Sequence, residues 1–506
     1  MDCGDVIYRS TLPKPSALQL TYGGVTLLSL ISAYLWATPG VAPGFWDMFI
    51  LSPLEGFIRP KYTQDDLVLG KKLGEGAYGT VYRAQLKTGK GAGTALVVKK
   101  ASEFGAAEAW MNERVRRACP KACAEYVYGF VEEKTKGRFG QFWLVWKFEG
   151  SNTLADVLVA KDFPYSLEDS LFGEPQRLRR GPERENKIIQ VVMKQILVAL
   201  KQLHRIGIVH RDIKPQNIVY CKETGQLKII DLGAAADLRV GINYVPKEFL
   251  LDPRYCAPEQ YIMSTQTPSA PPPPVAAALS PVLWQMNLPD RFDVYSAGLI
   301  MLQMAFPHMR SDNGLIQFNR QLKRCGYDLD AWREVVLTRP TADISHGFEI
   351  LDLDNGLGWD LVRAMVRYKA RKRISAGGAL SHPFFTTNGI LAVQGVAELR
   401  CALGNSFRAD TDEWGQWIFD MMAKSGTEKE GGFTEAQLTD IRQKSKKRKG
   451  TLQRNSLAAA LKLQRKVEKT ITSISESADE AEKQQKADQW WDRWSTKVPS
   501  VQKARR

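Results

Sequence analysis

The sequence His-Arg-Asp-Ile-Lys-Pro-Gln-Asn at residues 210–217, followed by Asp-Leu-Gly at residues 231–233, decides the fold of this 506-residue chain. Phosphoryl transfer from a nucleotide requires little covalent chemistry, but it requires a carboxylate that orients the acceptor hydroxyl. Asp212 is the candidate for this catalytic role, and Lys214 is the candidate for the group that steadies the transferred phosphate. The pattern therefore predicts a catalytic loop for phosphoryl transfer.

Two residues that follow the catalytic carboxylate are the predicted metal ligands. Asn217 and Asp231 carry amide and carboxylate oxygens, which are the donors that a hard cation such as Mg²⁺ prefers. Both side chains follow Asp212 in the order that metal-assisted phosphoryl transfer uses. The sequence therefore predicts that the protein uses ATP together with Mg²⁺.

A glycine-rich segment upstream completes the predicted nucleotide site. Glycine has no side chain, so backbone N–H groups can approach phosphate oxygens closely, although an isolated glycine pattern is equally typical of an ordinary hairpin turn. The apolar run at residues 95–98 ends in Lys99, as expected of a strand that delivers a lysine to the α- and β-phosphates. The predicted ATP-binding residues of the segment are Leu73, Gly74, Glu75, Gly76, Ala77, Tyr78, Gly79, Thr80 and Val81.

Lys99 needs a carboxylate partner on the next helix, and two glutamates are candidates. Glu113 is preferred, because its distance from the apolar strand at residues 126–128 suits the helix that carries such a glutamate. Glu108 lies about a turn and a half earlier on the same helix. A solvent-facing helix charge is the alternative for either residue. We therefore expect Glu113 to bind Lys99 in the ATP site.

Three further motifs follow in order: Ala-Pro-Glu at residues 257–259, Asp-x-x-Ser-x-Gly at residues 293–298, and Arg373. With the preceding motifs, they resemble eukaryotic-type protein kinases over residues 66–385. The resemblance implies an α+β fold with two lobes, a small antiparallel sheet with one helix above a larger helical lobe, and ATP between them. Lys214 resembles the serine/threonine-specific form. A catalytically inactive kinase-fold scaffold is the alternative, but such proteins usually lose a catalytic group, and none is lost here.

The N-terminal region is unusually apolar. No charged residue occurs between Lys14 and Asp47, and residues 20–36 are mostly hydrophobic. Such a stretch predicts a transmembrane helix, whereas a buried helix of a soluble protein is the alternative. The kinase domain must face the compartment that holds ATP.

Five stretches carry a more specific resemblance: residues 3–13, 35–44, 111–119, 231–243 and 261–270. They are similar to the chloroplast state-transition kinases. This resemblance implies a thylakoid membrane protein whose kinase domain faces the stroma and whose substrates are threonines of light-harvesting complex II. It also implies activation through the cytochrome b6f complex. A sister thylakoid kinase that acts on photosystem II core subunits is the nearest alternative.

The same resemblance implies a redox role for Cys3. The family carries two lumenal cysteines four residues apart; Cys3 matches the second of them, and the position of the first would precede Met1. The seven cysteines of the chain are spread widely and do not form the framework of a disulfide-rich domain. Cys3 is therefore the one candidate redox residue.

The C-terminal region is basic. Residues 440–506 hold 18 lysines and arginines against 8 aspartates and glutamates, and apolar residues recur near helical spacing after the basic cluster at residues 444–449. Contact with a membrane surface or an acidic partner is favoured, and nucleic acid is not an expected partner. The expected domains are a lumenal segment (1–15), a transmembrane helix (16–38), a linker (39–65), the kinase domain (66–385, with a small lobe 66–148 and a large lobe 149–385) and a helical, basic C-terminal extension (386–506).

The segment between the metal ligand and the Ala-Pro-Glu motif contains no serine or threonine at residues 232–256. Arg211 is the type of residue that pairs with a phosphate in this segment of other kinases. We therefore expect a carboxylate of Asp237, Glu248 or Asp252 to neutralise Arg211 permanently.

Overall fold

The structure is a computed structural model, and the predictions for Cys3, Ala77, Tyr78, Glu248 and nearly all of the C-terminal extension lie outside the residues that it describes. The described residues are 22–58, 62–76, 79–87, 93–101, 105–132, 141–172, 179–221, 224–240, 252–259, 273–386 and 501–503.

Three helices precede the kinase lobes: α1 (Tyr22–Trp36), α2 (Val41–Trp46) and α3 (Ser52–Ile58), with a π-helical turn at Asp47–Leu51. Within the described part of the chain, no single helix is long and apolar enough to cross a membrane. The segments Val25–Trp36 and Val41–Glu55 satisfy the criteria of length and composition only as a pair, and they are bent by 53° at the break between them. The predicted transmembrane helix therefore stays a prediction.

An antiparallel sheet of five strands forms the small lobe, in the order β1-β2-β3-β5-β4. Residues two positions apart in a strand point to the same face, and on one face they pack a core of Leu67, Ala84, Leu86, Leu96, Val98, Tyr128, Phe130, Trp143 and Val145. At the edge, the short strand Val501–Lys503 pairs in parallel with β4. The elements of the lobe are β1 (Leu67–Gly76), β2 (Gly79–Leu86), β3 (Ala95–Ala101), α4 (Gly105–Ala118), β4 (Tyr126–Val131) and β5 (Phe142–Lys147).

The hairpin between β1 and β2 carries the predicted glycine-rich segment. Gly76 pairs with Gly79, and Glu75 pairs with Thr80. Gly79 has a φ of 130°, and a Cβ atom at this position would lie 2.1 Å from the carbonyl oxygen of Lys100. Any residue with a side chain would therefore be both strained and sterically blocked here.

Helices dominate the large lobe. Helix α9 (Asp290–Ala305) is hydrophobic on all sides and buried along nearly its whole length, as expected of a central helix. It packs against α7 (Pro182–Arg205) and α12 (Ala342–Met365). The predicted two-lobed α+β fold is confirmed. The large-lobe elements are β6 (Asn152–Thr153), α5 (Leu154–Leu158), α6 (Glu168–Phe172), α7 (Pro182–Arg205), β7 (Ile208–Val209), β8 (Ile218–Cys221), β9 (Gln226–Ile229), β10 (Ala236–Asp237), α8 (Pro273–Asn287), α9 (Asp290–Ala305), α10 (Asp312–Arg324), α11 (Leu329–Leu337), α12 (Ala342–Met365), α13 (Ala376–Leu380) and α14 (Pro383–Thr386).

A buried ion pair ties the Ala-Pro-Glu motif to the large lobe. The guanidinium of Arg373 is fully buried and donates to both carboxylate oxygens of Glu259, at 2.7 and 3.0 Å. It also donates to the backbone carbonyls of Arg367 and Arg291. A buried guanidinium is stable only when such partners replace its lost hydration.

We expect Arg373→Met to lower the free energy of unfolding by about 3–5 kcal/mol, the scale for removing one partner of a buried ion pair. The matched control is Arg333→Met, because Arg333 makes a similar two-oxygen pair with Asp352 at a partly exposed site. Arg333→Met should lower the free energy of unfolding by less than about 1 kcal/mol. Denaturant unfolding of both variants tests the difference, and equal losses would contradict it.

Candidate active site

One buried carboxylate holds the catalytic loop in place. Asp293, at the start of α9, accepts hydrogen bonds from the backbone N–H groups of His210 and Arg211, at 2.9 and 2.8 Å. Its Oδ2 also lies 2.8 Å from Nε2 of His204. Arg211 has a φ of 67°, a left-handed conformation that a residue with a side chain adopts only under constraint. The bonds to Asp293 supply that constraint.

The predicted catalytic residues come together in this loop. Asn217 Nδ2 donates to both the backbone carbonyl and the Oδ2 atom of Asp212, each at 2.8 Å. Lys214 Nζ lies 2.8 Å from the same Oδ2 atom. The carboxylate of Asp212 is therefore oriented by an amide and accompanied by a positive charge, as a group that positions an acceptor hydroxyl requires.

Asp231 and Lys99 join the two lobes across the cleft. Lys99 Nζ donates to Asp231 Oδ1 at 2.7 Å. Burial by itself would raise the pKa of Asp231, but the Lys99 ammonium outweighs it, so the pKa lies below its usual value. Asp231 has a φ of 61° and its side chain accepts from the N–H of Gly233. The turn therefore aims the carboxylate at Lys99.

The expected pairing of Lys99 with Glu113 is wrong, because the structure places Glu108 at Lys99. Lys99 Nζ lies 3.0 and 2.9 Å from the two carboxylate oxygens of Glu108. Glu113 lies near Arg116 and Arg117 of its own helix, at 3.4 and 3.6 Å.

Helix geometry explains this correction. Helix α4 begins at Gly105, so Glu108 belongs to the first turn, which faces the cleft. Glu113 lies about 140° further around the helix and about 7.5 Å further along it. Only one of the two glutamates can therefore reach the ammonium of Lys99. The spacing to the following strand misled the prediction, because the non-helical residues 119–125 separate the end of α4 from β4.

Sequence reasoning also missed Asn112. Its Nδ2 donates to the carbonyl of Glu108 at 2.8 Å, and its Oδ1 accepts from Nε1 of Trp146 at 2.9 Å. Both Glu108 and Asn112 line the cleft. The sequence contained an indication of this role, because Glu108 and Asn112 are four positions apart and such residues share one face of a helix.

A cavity of about 680 Å³ lies between the lobes, which is a typical size for a nucleotide-sized ligand. Its lining includes Leu73, Gly74, Glu75, Gly79 and Val81 of the glycine-rich hairpin, together with Lys99, Glu108, Trp146, Asn217 and Asp231. Among the described residues, the predicted ATP-binding and metal-binding residues other than Gly76, Thr80 and Glu113 therefore line one cleft.

The two predicted metal ligands fit Mg²⁺. Because Nδ2 of Asn217 is engaged by Asp212, its Oδ1 atom is the side-chain group left to bind a cation. Asp231 adds a carboxylate that is kept ionised by Lys99. No group of three or more His, Cys, Asp or Glu side chains able to hold a metal occurs in the described part of the chain. Phosphate oxygens and water would complete the coordination, as is usual for Mg²⁺ bound with a nucleotide.

The carboxylates expected to neutralise Arg211 have well-defined partners. Asp237 is fully buried and accepts from Trp110 Nε1 at 3.0 Å, and it forms an ion pair with Arg114 of helix α4. Asp252 accepts from Arg254 Nη2 at 2.7 Å and lies 3.7 Å from Lys214. Neutralisation of Arg211 by one of these carboxylates stays a prediction.

We expect Glu108→Gln to lower kcat/KM for ATP roughly 100-fold, the scale for removing one preorganised electrostatic contact, because Lys99 loses the carboxylate that orients it. Glu113→Gln is the matched control on the same helix and should lower kcat/KM by at most about tenfold, since Glu113 does not contact Lys99 and lies only near the arginines at the end of α4. Steady-state assays of both variants with varied ATP distinguish the two residues. The opposite order of effects would restore the original prediction.

Comparison with known proteins agrees with this geometry. Residues 67–272 match the protein kinase domain family. The chain is 58% identical over 495 residues to the chloroplastic serine/threonine-protein kinase STN7 of Arabidopsis thaliana, covering 98% of this chain and 87% of that protein. It is 42% identical over 415 residues to the chloroplastic serine/threonine-protein kinase STN8 of Arabidopsis thaliana, covering 75% of this chain and 82% of that protein.

A solved structure is also similar. The crystal structure of an Stt7 homologue from Micromonas algae, soaked with ATP, superposes with a TM-score of 0.55 at 29% identity and covers 66% of this chain and 96% of that one. The site described above combines a carboxylate oriented by an amide, a lysine held by two carboxylates, and two side chains with oxygen atoms that line the cleft. The chain therefore belongs to the chloroplast state-transition family of serine/threonine protein kinases.

Proposed function

We propose that this kinase transfers the γ-phosphate of ATP to threonines of light-harvesting complex II, with Mg²⁺ as the cofactor. The main support is the 58% identity to the chloroplastic serine/threonine-protein kinase STN7 over 98% of the chain, in a protein whose cleft is lined by Lys99, Asn217 and Asp231. In this proposal, the N-terminal segment anchors the protein in the thylakoid membrane, the kinase domain faces the stroma, and the cytochrome b6f complex activates it.

Each catalytic group has one part in the proposed reaction. Asp212 orients the acceptor hydroxyl and takes its proton, and Lys214 beside it stabilises negative charge on the transferred phosphate. Lys99, held by Glu108, binds the α- and β-phosphates. Asn217 and Asp231 would hold Mg²⁺, which supplies positive charge against the phosphate oxygens. Positioning and electrostatics therefore account for the catalysis.

We expect Asp212→Asn to lower kcat by about 10²–10⁴-fold and to change ATP affinity little, because the lost group acts on the acceptor hydroxyl. Asp231→Asn should instead weaken binding of ATP in the presence of Mg²⁺, since the lost group is a metal ligand. Titration with ATP and Mg²⁺, combined with turnover assays on isolated light-harvesting complex II, separates the two effects. Equal binding and turnover defects in the two variants would contradict these roles.

Exposed apolar side chains support attachment to the membrane. Monomeric soluble proteins rarely expose contiguous apolar patches larger than a few hundred Å², and such patches mark interaction surfaces. Tyr34 of α1 also donates to the carbonyl of Ala278 in α8, where Leu279 is exposed as well. The exposed large apolar residues of the N-terminal helices are Val25, Leu27, Leu28, Ile31, Tyr34, Trp36, Phe45, Trp46, Phe49, Leu51 and Leu54.

A charge placed in the proposed membrane segment should weaken its insertion. Leu27→Arg should release much of the full-length protein from membranes, because an arginine near the centre of a span costs about 2.5–3.5 kcal/mol relative to water. Leu27→Ile conserves size and hydrophobicity and serves as the control. Alkaline carbonate extraction of membranes from expressing bacteria measures the retained fraction. If both variants stay in the pellet like the parent protein, the attachment lies elsewhere in the chain.

A kinase that acts on photosystem II core subunits is the second candidate. The 42% identity to STN8 keeps this candidate open, since both chloroplast kinases match most of the chain. Site-resolved mass spectrometry of thylakoids with and without this protein separates the candidates. Loss of threonine phosphorylation on light-harvesting complex II supports the first, and loss confined to photosystem II core subunits supports the second.

A further inference from the structure

The segment between the N-terminal helix and the kinase domain packs against helix α4, which carries Glu108 of the active site. We call residues 39–55 the N-terminal clasp. Its carboxylates contact the last turns of α4, where Arg114, Arg116 and Arg117 lie. None of these three arginines borders the nucleotide cleft. The clasp therefore reaches the active site only indirectly, through α4 and the elements that pack on it.

Two carboxylates of the clasp bind the three arginines. Asp47 lies 2.9 Å from Arg114 Nε through one oxygen and accepts from Arg117 Nε at 2.7 Å through the other. Glu55 accepts from Arg116 at 2.5 Å and from Arg117 at 3.1 Å. Burial alone would raise the pKa of Glu55, but the two guanidiniums outweigh it and lower the pKa. Both carboxylates therefore form ion pairs with arginines of α4.

Arg114 is the centre of a buried charge network. Its guanidinium is almost fully buried and forms ion pairs with Asp47 of the clasp and with Asp237 of β10. It also donates to the carbonyl of Ile206 at the end of α7. One side chain of α4 thus joins the clasp, the segment that follows the metal ligand Asp231, and the large lobe.

A second buried guanidinium adds positive charge near Arg114 and the Asp47 carboxylate. Arg239 donates to the carbonyl of Pro39, and its backbone N–H donates to Asp237 at 3.0 Å. Burial, together with the repulsion from Arg114, lowers the pKa of Arg239 to about 9. The negative charges of Asp237 and Asp47 act in the opposite direction and favour the charged form of Arg239. Replacing Asp47 removes a negative charge that compensates the buried Arg114, and an uncompensated buried charge is strongly destabilising.

Close packing reinforces this contact. A Cβ atom at Gly44 in helix α2 would lie 2.3 Å from Cδ and 2.9 Å from Cγ of Arg239. The helix therefore rests directly on the aliphatic part of the Arg239 side chain. A side chain at position 44 would lift the clasp without changing any charge, which gives a second way to disturb the same contact.

The two ends of α4 are thus held by different charges. Near its start, Glu108 binds Lys99, and near its end, Arg114 binds Asp237 and Asp47. We propose that Asp47 is a positioning residue for catalysis: the clasp holds α4 in the orientation that places Glu108 at Lys99, so the placement of the N-terminal segment sets the rate of phosphoryl transfer. This inference rests on the kinase activity alone and not on the proposed substrate or membrane attachment.

The test uses the full-length chain with ATP and casein as a generic acceptor, so it is independent of light-harvesting complex II. Asp47→Asn should lower kcat/KM for ATP about tenfold, in the range of coupling through packed elements. Asp352→Asn is the matched control, since it also removes one carboxylate from an arginine pair, but on α12 of the large lobe. This control should leave kcat/KM unchanged. Hydrogen exchange of residues 105–118 should increase in Asp47→Asn alone.

A double-mutant cycle with Glu108→Gln distinguishes positioning from simple loss of stability. If the clasp acts through Glu108, Asp47→Asn should have little further effect on kcat/KM once Glu108 is already replaced. A purely structural role gives the same fold-change in both backgrounds, and that result would overturn the proposal. Full activity of Asp47→Asn would overturn it as well.

Two further variants keep the test decisive if Asp47→Asn does not fold. Glu55→Gln removes the more exposed carboxylate of the clasp, and Gly44→Leu lifts α2 from Arg239 while leaving every charge in place. Both should reduce kcat/KM and should lose that effect in the Glu108→Gln background. Unchanged activity in both folded variants would contradict the proposal.

Discussion

The ammonium of Lys99 is the group on which the rest of this structure depends. It comes from a strand of the small lobe, yet it binds Glu108 of helix α4 and Asp231 of the large lobe at the same time. A buried ammonium without such partners would be strongly destabilised, so the three elements must come together for any one of them to be stable. The same contacts hold the Lys99 ammonium in the cleft, where it can bind the phosphates of a nucleotide.

Compensated buried charge recurs throughout the protein. Asp293 accepts the backbone N–H groups of the catalytic loop, Glu259 binds the fully buried Arg373, and Asp237 binds Arg114. Each of these pairs joins segments that are distant in the sequence. Because an ion in the interior requires a partner in a defined position, these contacts specify one arrangement of the lobes more strictly than apolar packing does. The N-terminal clasp extends this arrangement beyond the kinase domain to residues near the proposed membrane segment.

The order of the catalytic motifs was sufficient to predict the two-lobed fold and the groups in the cleft. Asp212, Lys214 and Asn217 lie close in sequence, so the spacing of one loop already brings them together. The partner of Lys99 was predicted incorrectly, since the choice between Glu108 and Glu113 depends on where helix α4 begins and how it rotates. That rotation is set by contacts at the far end of the helix, and local spacing does not report them.

The amino-acid sequence by itself determined the chemistry of this protein: the carboxylates, the lysines, the glycines and their order. These properties follow from residue type and from short-range geometry, both of which can be inferred from neighbouring positions along the chain. Only the tertiary structure decided that Lys99 pairs with Glu108, that Arg114 pairs with Asp237, and that Arg114 also pairs with Asp47. These pairings join residues that are 9, 123 and 67 positions apart. They depend on the free energy of burying all the charges together, which no single stretch of sequence contains.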